Sequence, residues 1–308
     1  MKIHTSFSSL AAIPNPVVTI GTFDGVHLGH YTIINRLKEI AHEVKGQSVL
    51  LTFYPHPRMV LHPEDHNIEL LNSPEEKSEL LERAGIEHLV IYPFSTDFSR
   101  MSPFEYVRDL LVTGIHAHTV VVGYDHRFGR NREGDHKTLV ELSETFGFHV
   151  EEISAKVIDE INISSTKIRQ NLKQGNVNDA ARFLGYGYTL SGKVVRGDAI
   201  GRTLGFPTAN IAVDYPFKLV PARGIYAVHV FVKGRRHKGV VSIGVRPTVV
   251  SNSAETIEVY IMDFNDDIYD EKISIEFIKY IREEKTFGSI NELKENIAND
   301  VAQALLLF

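Results

Sequence analysis

Hydrophobic positions in the first half of the chain fall into two alternating rhythms. Short apolar runs at Val17–Ile20, Ser48–Phe53, His88–Tyr92 and Thr119–Tyr124 have the length of buried strands. Amphipathic stretches separate them. After a turn at Gly21–Gly25, Ile33, Ile34, Leu37, Ile40, Ala41 and Val44 recur at helical spacing and predict a one-sided helix. Ser73-Pro74-Glu75-Glu76 reads as a capping box with proline at the first helical position, predicting a helix to about Ala84. Ser102-Pro103-Phe104-Glu105 repeats that helix start, and another helix is predicted over about 137–146. Strands alternating with helices predict a parallel sheet covered on both faces, with ligands beyond the carboxyl ends of its strands.

The rhythm changes after Gly185-Tyr186-Gly187. Tyr226, Val228, Val230 and Val232 share one side of a two-residue alternation, as do Ile257, Val259 and Ile261, and then Ile273, Ile275 and Phe277. Lys233-Gly234-Arg235 reads as a hairpin turn. Short strands in succession predict an antiparallel barrel or sandwich. A final amphipathic helix to about Leu305 opens on a second-half capping box, Ser289-Ile290-Asn291-Glu292. The expected fold class is α/β plus β, with domains 1–186 and 187–308.

At ~150 residues per domain, 308 residues fit two domains, each large enough to bury its own core. With 43% hydrophobic and 23% charged residues the chain reads as globular, which excludes disorder and coiled coil. There are no cysteines, so disulfides, thiolate metal sites and cysteine nucleophiles are excluded. A formal charge of -6 speaks against nucleic acid as the main partner, though not against small phosphorylated ligands. Met1–Pro16 lacks the pattern of a signal peptide, and no apolar run approaches the ~20 residues that span a bilayer. A cytoplasmic location with no membrane partner is expected.

Gly21-Thr22-Phe23-Asp24-Gly25-Val26-His27-Leu28-Gly29-His30 lies between the first strand and the first helix. Glycines there let backbone approach a phosphate, and a helix start supplies free N–H groups and a positive dipole end. His27 and His30, three apart, face one side and can hydrogen-bond phosphoryl oxygens as their charge grows. Zinc is the weaker reading, since no further ligand is adjacent and the zincin spacing is absent. In Ile163-Ser164-Ser165-Thr166-Lys167-Ile168-Arg169, hydroxyls cap a helix start and Arg169 can clamp a phosphate one turn in.

These two segments resemble the motifs of the HxGH nucleotidyltransferases, which transfer a nucleotidyl group from ATP or CTP. The resemblance implies a Rossmann-like domain that uses His27, His30 and Arg169 in catalysis. Gly21, Phe23, Asp24, Gly25, Gly29, Ser164, Ser165 and Thr166 would then bind the nucleotide. Thr52-Phe53-Tyr54-Pro55-His56-Pro57 and Gly123-Tyr124-Asp125-His126-Arg127-Phe128-Gly129 follow the second and fourth predicted strands. They are similar to the flavin-binding segments of bacterial FMN adenylyltransferases, which implies flavin contacts from His56, Pro57, Asp125 and Phe128. That family more often has phenylalanine at the place of His126 and asparagine at that of Thr22.

Gly197-Asp198-Ala199-Ile200-Gly201-Arg202-Thr203-Leu204-Gly205-Phe206-Pro207-Thr208-Ala209-Asn210 is one residue short of a Walker A loop and has arginine in place of its lysine. It resembles instead the riboflavin kinase signature, which leads a strand of a small barrel. Thr208 and Asn210, two apart on a strand, point the same way and suit a magnesium ion that keeps few protein ligands. The resemblance places the catalytic carboxylate at Glu258. It also implies nucleotide contacts from Gly197, Gly201 and Arg202 and flavin contacts from Gly205, Phe206 and Arg282. Gly224-Ile225-Tyr226-Ala227, Gly244-Val245-Arg246-Pro247-Thr248 and Ile281–Phe287 extend it, with Ser242 where many relatives carry asparagine.

The resemblance covers essentially the whole chain and is to the prokaryotic bifunctional FAD synthetases. It implies a riboflavin kinase barrel and an FMN adenylyltransferase domain acting on riboflavin, FMN and ATP with Mg2+. Retention of one activity alone and a non-catalytic flavin sensor are the alternatives; transfer-RNA charging is disfavoured by net charge. The basic run Lys233–Lys238 reads as a solvated hairpin tip, and Asp263, Asp266, Asp267 and Asp270 as a loop without the EF-hand pattern. Oligomeric state is not legible.

Overall fold

The computed structural model describes every residue except 11–12, 66, 155–162, 198–199 and 246–254. Asp198, Ala199 and Arg246-Pro247-Thr248 of the motifs above therefore lie outside the described residues. Two compact units emerge, Met1–Ser165 and Thr166–Phe308.

The first unit is built on a six-stranded sheet of order β1-β4-β3-β2-β5-β6. Its strands are β1 (Lys2–His4), β2 (Val17–Ile20), β3 (Ser48–Tyr54), β4 (His88–Pro93), β5 (Thr119–Gly123) and β6 (His149–Ile153). Every pairing is parallel, as the strand–helix alternation predicts. Val17, Val18, Val49, Leu50, Leu51 and Val120 are wholly buried, because helices take up both faces. The helices are α1 (Leu28–Glu43), α2 (Pro57–Leu61), α3 (Pro74–Arg83), α4 (Thr96–Ser99), α5 (Pro103–Glu105) and α6 (His136–Phe146). Both first-half capping boxes form, at Ser73 with Glu76 and at Ser102 with Glu105. After α5 the chain widens into a π-helical stretch, Tyr106–Gly114, which keeps Tyr106, Val107, Leu110 and Leu111 buried.

The chain leaves β2 toward β3 on one side of the sheet and later returns to β5 on the other. The reversal creates a crevice at the carboxyl ends of β2 and β5, the place where open parallel sheets bind ligands. The loop from Gly21 to His27 leaves β2 at this point.

The second unit takes in α7 (Ser165–Lys173) from its second residue, then α8 (Val177–Leu184), and continues into strands β7 (Thr189–Val195), β8 (Thr208–Val213), β9 (Gly224–Val232), β10 (Arg235–Val245), β11 (Glu255–Ile261) and β12 (Lys272–Arg282). These close into a barrel of order β10-β11-β8-β7-β12-β9. α9 (Ile200–Thr203) precedes β8, and α10 (Ile290–Leu305) ends the fold. The compact units divide between Ser165 and Thr166, at the start of α7, whereas the change of period lies near 187. Tertiary contact decides this: Ala222 N donates to Leu172 O at 2.9 Å, and α8 packs on β12.

All the alternating apolar positions predicted for this half are buried. Val232 pairs with Arg235 across Lys233 and Gly234, whose φ values of +48° and +76° make the two-residue turn that suits a hairpin's twist. Ser289 caps α10 through Glu292 N at 3.2 Å, but the Glu292 carboxylate takes Gly288 N at 3.0 Å, so the box is only half made.

Two candidate active sites

In the first unit, sequence forces the β2–α1 loop into an unusual path. Phe23, Gly25 and Val26 have φ of +46°, +89° and +35°, conformations that only glycine adopts without strain. Side chains hold the loop there. The buried Asp24 carboxylate accepts Leu71 N at 2.9 Å and Asn72 N at 3.3 Å, while Asn72 Oδ1 accepts Gly25 N at 2.8 Å. Asp24 therefore fixes the loop through its carboxylate. Its backbone carbonyl accepts the Ser165 hydroxyl at 2.8 Å.

His27 caps α1, its Nδ1 accepting His30 N at 3.4 Å. This leaves Nε2 of a neutral His27 as its donor. The two rings stack at 3.7 Å between centroids and 14° between planes. Burial above all, then His27 and Lys77, hold the His30 imidazole well below the ordinary histidine range, so it is neutral at pH 7. Its Nδ1 is buried with no hydrogen-bond partner among the described residues. Two stacked rings with polar atoms to offer, at a helix start and a sheet switch point, can stabilise charge developing on a phosphate. Gly29 lies tight against the His27 ring: a Cβ there would stand 3.2 Å from it.

Lys77, on α3, was not singled out by the sequence, where it sits inside an ordinary amphipathic helix. Its Nζ donates to Thr22 O at 2.8 Å, and burial lowers its pKa. It is the cation beside the paired histidines. Thr166 and Arg169 follow Ser165 on α7.

The flavin-motif residues divide in use. His56 caps α2, with Nδ1 accepting Arg58 N at 3.2 Å and Pro57 as the first helical residue. Asp125 is exposed after β5. Phe128 is 4% exposed and packs on Tyr106 at 5.2 Å, so its ring supports the loop from within the core. Burial pushes the neighbouring His126 down to about 4, so it too is neutral.

In the second unit, register assembles the site. β8 and β11 pair Asn210 with Glu258 and Thr208 with Tyr260, so these four side chains project to one face. The Thr208 hydroxyl donates to a Glu258 carboxylate oxygen at 3.2 Å. Gly197 runs so close that a Cβ would meet Asn210 Nδ2 at 2.1 Å, and a Cβ on Gly201 would meet Phe206 O at 2.3 Å. Gly201 is required by this close approach to backbone, whereas at Gly197 the Asn210 side chain would have to move. Gly205, at φ +88°, turns the chain so that the Phe206 ring meets Tyr260 edge-on at 5.4 Å. A cavity of about 320 Å³ lies beside Thr208, lined by Arg202, Pro207 and the 264–269 loop. The hard oxygens of Thr208 and Asn210 fit a hydrated divalent ion shared with phosphates. Among the described residues no cluster of acidic and histidine side chains forms a separate metal site.

Arg282 stands elsewhere in the unit's bonding. Its guanidinium makes a two-pronged contact to Asp300 of α10, at 2.8 and 2.7 Å, and lies over Phe287. No local pattern marks the Asp300 partnership, which joins residues on separate elements.

The FAD synthetase family model matches residues 11–167 and the riboflavin kinase family model matches residues 184–308. A bifunctional riboflavin kinase/FMN adenylyltransferase of Listeria monocytogenes is 38% identical over 93% of this chain and 90% of its own. The Bacillus subtilis protein of the same description is 37% identical over 95% and 92%. A solved structure described as a macrolide-efflux protein from Streptococcus pneumoniae shares the fold at TM-score 0.87, with 29% identity over 98% of both chains. Among the described residues, no helix is long and apolar enough to cross a membrane. With both family models matched in order along one chain, and relatives aligned over nearly its whole length, this chain belongs to the bifunctional riboflavin kinase/FMN adenylyltransferases.

Proposed function

We propose that the barrel phosphorylates riboflavin and the first unit converts the resulting FMN to FAD, each with ATP, and that Mg2+ is the divalent metal. The observation carrying this reading is that the barrel gathers Thr208, Asn210 and Glu258 on one face, while the β2–α1 loop gathers Asp24, His27 and His30 at the switch point of the parallel sheet. In the barrel, Glu258 accepts the proton of the ribityl 5′-hydroxyl as that oxygen bonds the γ-phosphorus and the bond to the β-phosphate oxygen breaks. Thr208 and Asn210 would hold the metal, which neutralises phosphate charge when bound. Arg202 and the close turns at Gly197 and Gly201 would hold the ATP phosphates, and Gly205 and Phe206 would border the flavin.

In the first unit, an FMN phosphate oxygen attacks the α-phosphorus and pyrophosphate leaves. A phosphate monoester is already nucleophilic, so the protein's part is position and charge stabilisation. His27 and His30 donate to the phosphoryl oxygens. Gly21, Phe23, Gly25 and Gly29 shape the cradle that Asp24 fixes, while Ser164 and Ser165 hold the outer phosphates. His56, Pro57 and Asp125 would meet the flavin, with Phe128 as support. The partners proposed are these small molecules alone, in the cytoplasm where ATP is supplied.

A chromatographic time course with riboflavin, ATP and magnesium tests the reading: FMN rises first and FAD follows. Glu258→Gln should stop FMN formation yet leave FMN-to-FAD conversion, and His30→Ala should let FMN accumulate. Loss of both steps in either variant would sink the two-site assignment.

A further inference from the structure

Glu258 is the middle of a row that crosses the barrel from strand to strand. Asn210 on β8 pairs with Glu258 on β11, Glu258 with Ser242 on β10, and Ser242 with Ile225 on β9. Directly opposed residues on antiparallel neighbours project to the same face, and strands lie ~4.8 Å apart. Asn210 and Ser242 thus stand about one strand spacing to either side of the carboxylate.

The two flanks differ in chemistry. Toward Asn210 lie the Thr208 hydroxyl, bonded to the carboxylate, and the close turn of Gly197 against the Asn210 side chain, groups suited to phosphate and a divalent ion. Toward Ser242 the next residue is Ile225, buried in an apolar cluster with Ala227, Val240, Met262 and Ala304. In an in-line transfer, the attacking hydroxyl lies between its base and the phosphorus, so donor and acceptor enter from different sides. The phosphate flank is taken, which leaves the Ser242 flank to the acceptor. Ser242 is half-buried.

We propose that Ser242 is an acceptor-positioning residue, whose hydroxyl bonds a hydroxyl of the ribityl chain and sets the 5′-oxygen against Glu258. The inference rests on the kinase reading above. Ser242 supplies the polar floor between the base and the apolar Ile225 wall, a layout that matches a polyhydroxylated chain carrying a flat aromatic ring. No proton changes owner at Ser242; it orients, and Glu258 takes the proton.

Steady-state kinetics of the full chain test this with Ser242→Ala. Loss of one hydrogen bond should raise the riboflavin KM about three- to tenfold, with the ATP KM within about twofold. FMN adenylylation, measured in the same preparation, should be unchanged, which reports that the variant is folded. A riboflavin analogue lacking the contacted ribityl hydroxyl should lose affinity for the unaltered protein, but lose nothing further in Ser242→Ala. A raised ATP KM with an unchanged riboflavin KM would reverse the polarity of the row and overturn the inference. Unchanged values for both substrates would overturn it as well, while leaving the kinase reading intact. Absence of FMN formation by the unaltered protein would instead overturn the kinase reading, and this inference with it.

Discussion

Replacing Asp300 by alanine should cost the second unit about 3 kcal/mol. Asp300 is 4% exposed on α10, and its two oxygens are both used by Arg282, at 2.8 and 2.7 Å. Removing the carboxylate strands a guanidinium whose remaining partner is Glu283 O at 2.9 Å. Breaking a buried pair from one side costs ~3–5 kcal/mol. The Arg282 side chain keeps 17% exposure, so water recovers part of the loss and the lower end of that range applies. With a urea slope of about 2 kcal/mol/M, the midpoint falls by about 1.5 M. Urea titrations followed by circular dichroism and by residual riboflavin phosphorylation measure it. The double variant Arg282→Met/Asp300→Leu should regain most of the stability, because matched apolar groups leave no charge behind. A single variant within about 0.5 kcal/mol of the unaltered protein would refute the reasoning. So would a double variant no more stable than the single one. The double variant's riboflavin KM also separates an anchor for α10 from a flavin contact, since only the latter raises it.

Lys77→Met should lower FMN-to-FAD conversion by about tenfold or more, since a hydrogen bond from a buried charge is worth ~1.5–3 kcal/mol. Riboflavin phosphorylation, assayed alongside, should not change. Acid should destabilise the first unit through a buried histidine pair: His4 Nε2 meets His88 Nδ1 at 2.9 Å, and His88 Nε2 meets Gln47 Oε1 at 3.0 Å. Burial foremost lowers both pKa values, so the folded state binds protons less readily than the unfolded chain. Their stabilisation is complete above pH ~6.5 and fades as pH falls below it. Melting midpoints between pH 7 and 5 should fall, less steeply in His4→Leu/His88→Leu; equal slopes would contradict this.

Long apolar runs and paired cap residues made most of the fold legible. β2, β3, β4 and β5 are buried on both faces, so their sequences leave no other reading, and the hairpin at Lys233-Gly234 announces itself by its glycine. β1 and β6 were missed because edge strands of three and five residues, KIH and HVEEI, carry no sustained apolar pattern. The division at the start of α7 was invisible for another reason: which core a helix joins depends on partners distant in sequence. Motif residues were legible where local spacing sets their geometry, as for His27 and His30, or Thr208 and Asn210. Lys77, Asp300 and Ser242 owe their places to packing and cross-strand register, which no local pattern records. Asp24 and Arg282 show the converse: they lie in recognisable motifs, yet their side chains are engaged with backbone and with Asp300.

The sheet borders have a consequence for how the chain behaves at high concentration. A strand with unpaired N–H and C=O groups is a template for another chain, and long apolar borders seed aggregation. The barrel has no such border, since β9 closes on β10. The parallel sheet ends at β1, only three residues long, and at β6, where Glu151 and Glu152 interrupt the run and Arg36 binds Glu151 at 2.9 Å. The apolar strands Val17–Ile20, Ser48–Tyr54 and Thr119–Gly123 lie inside the sheet with a neighbour on each side. Self-association through added strands is thereby suppressed in each unit by its own topology, and the chain's most adhesive stretches are exposed only when a unit unfolds.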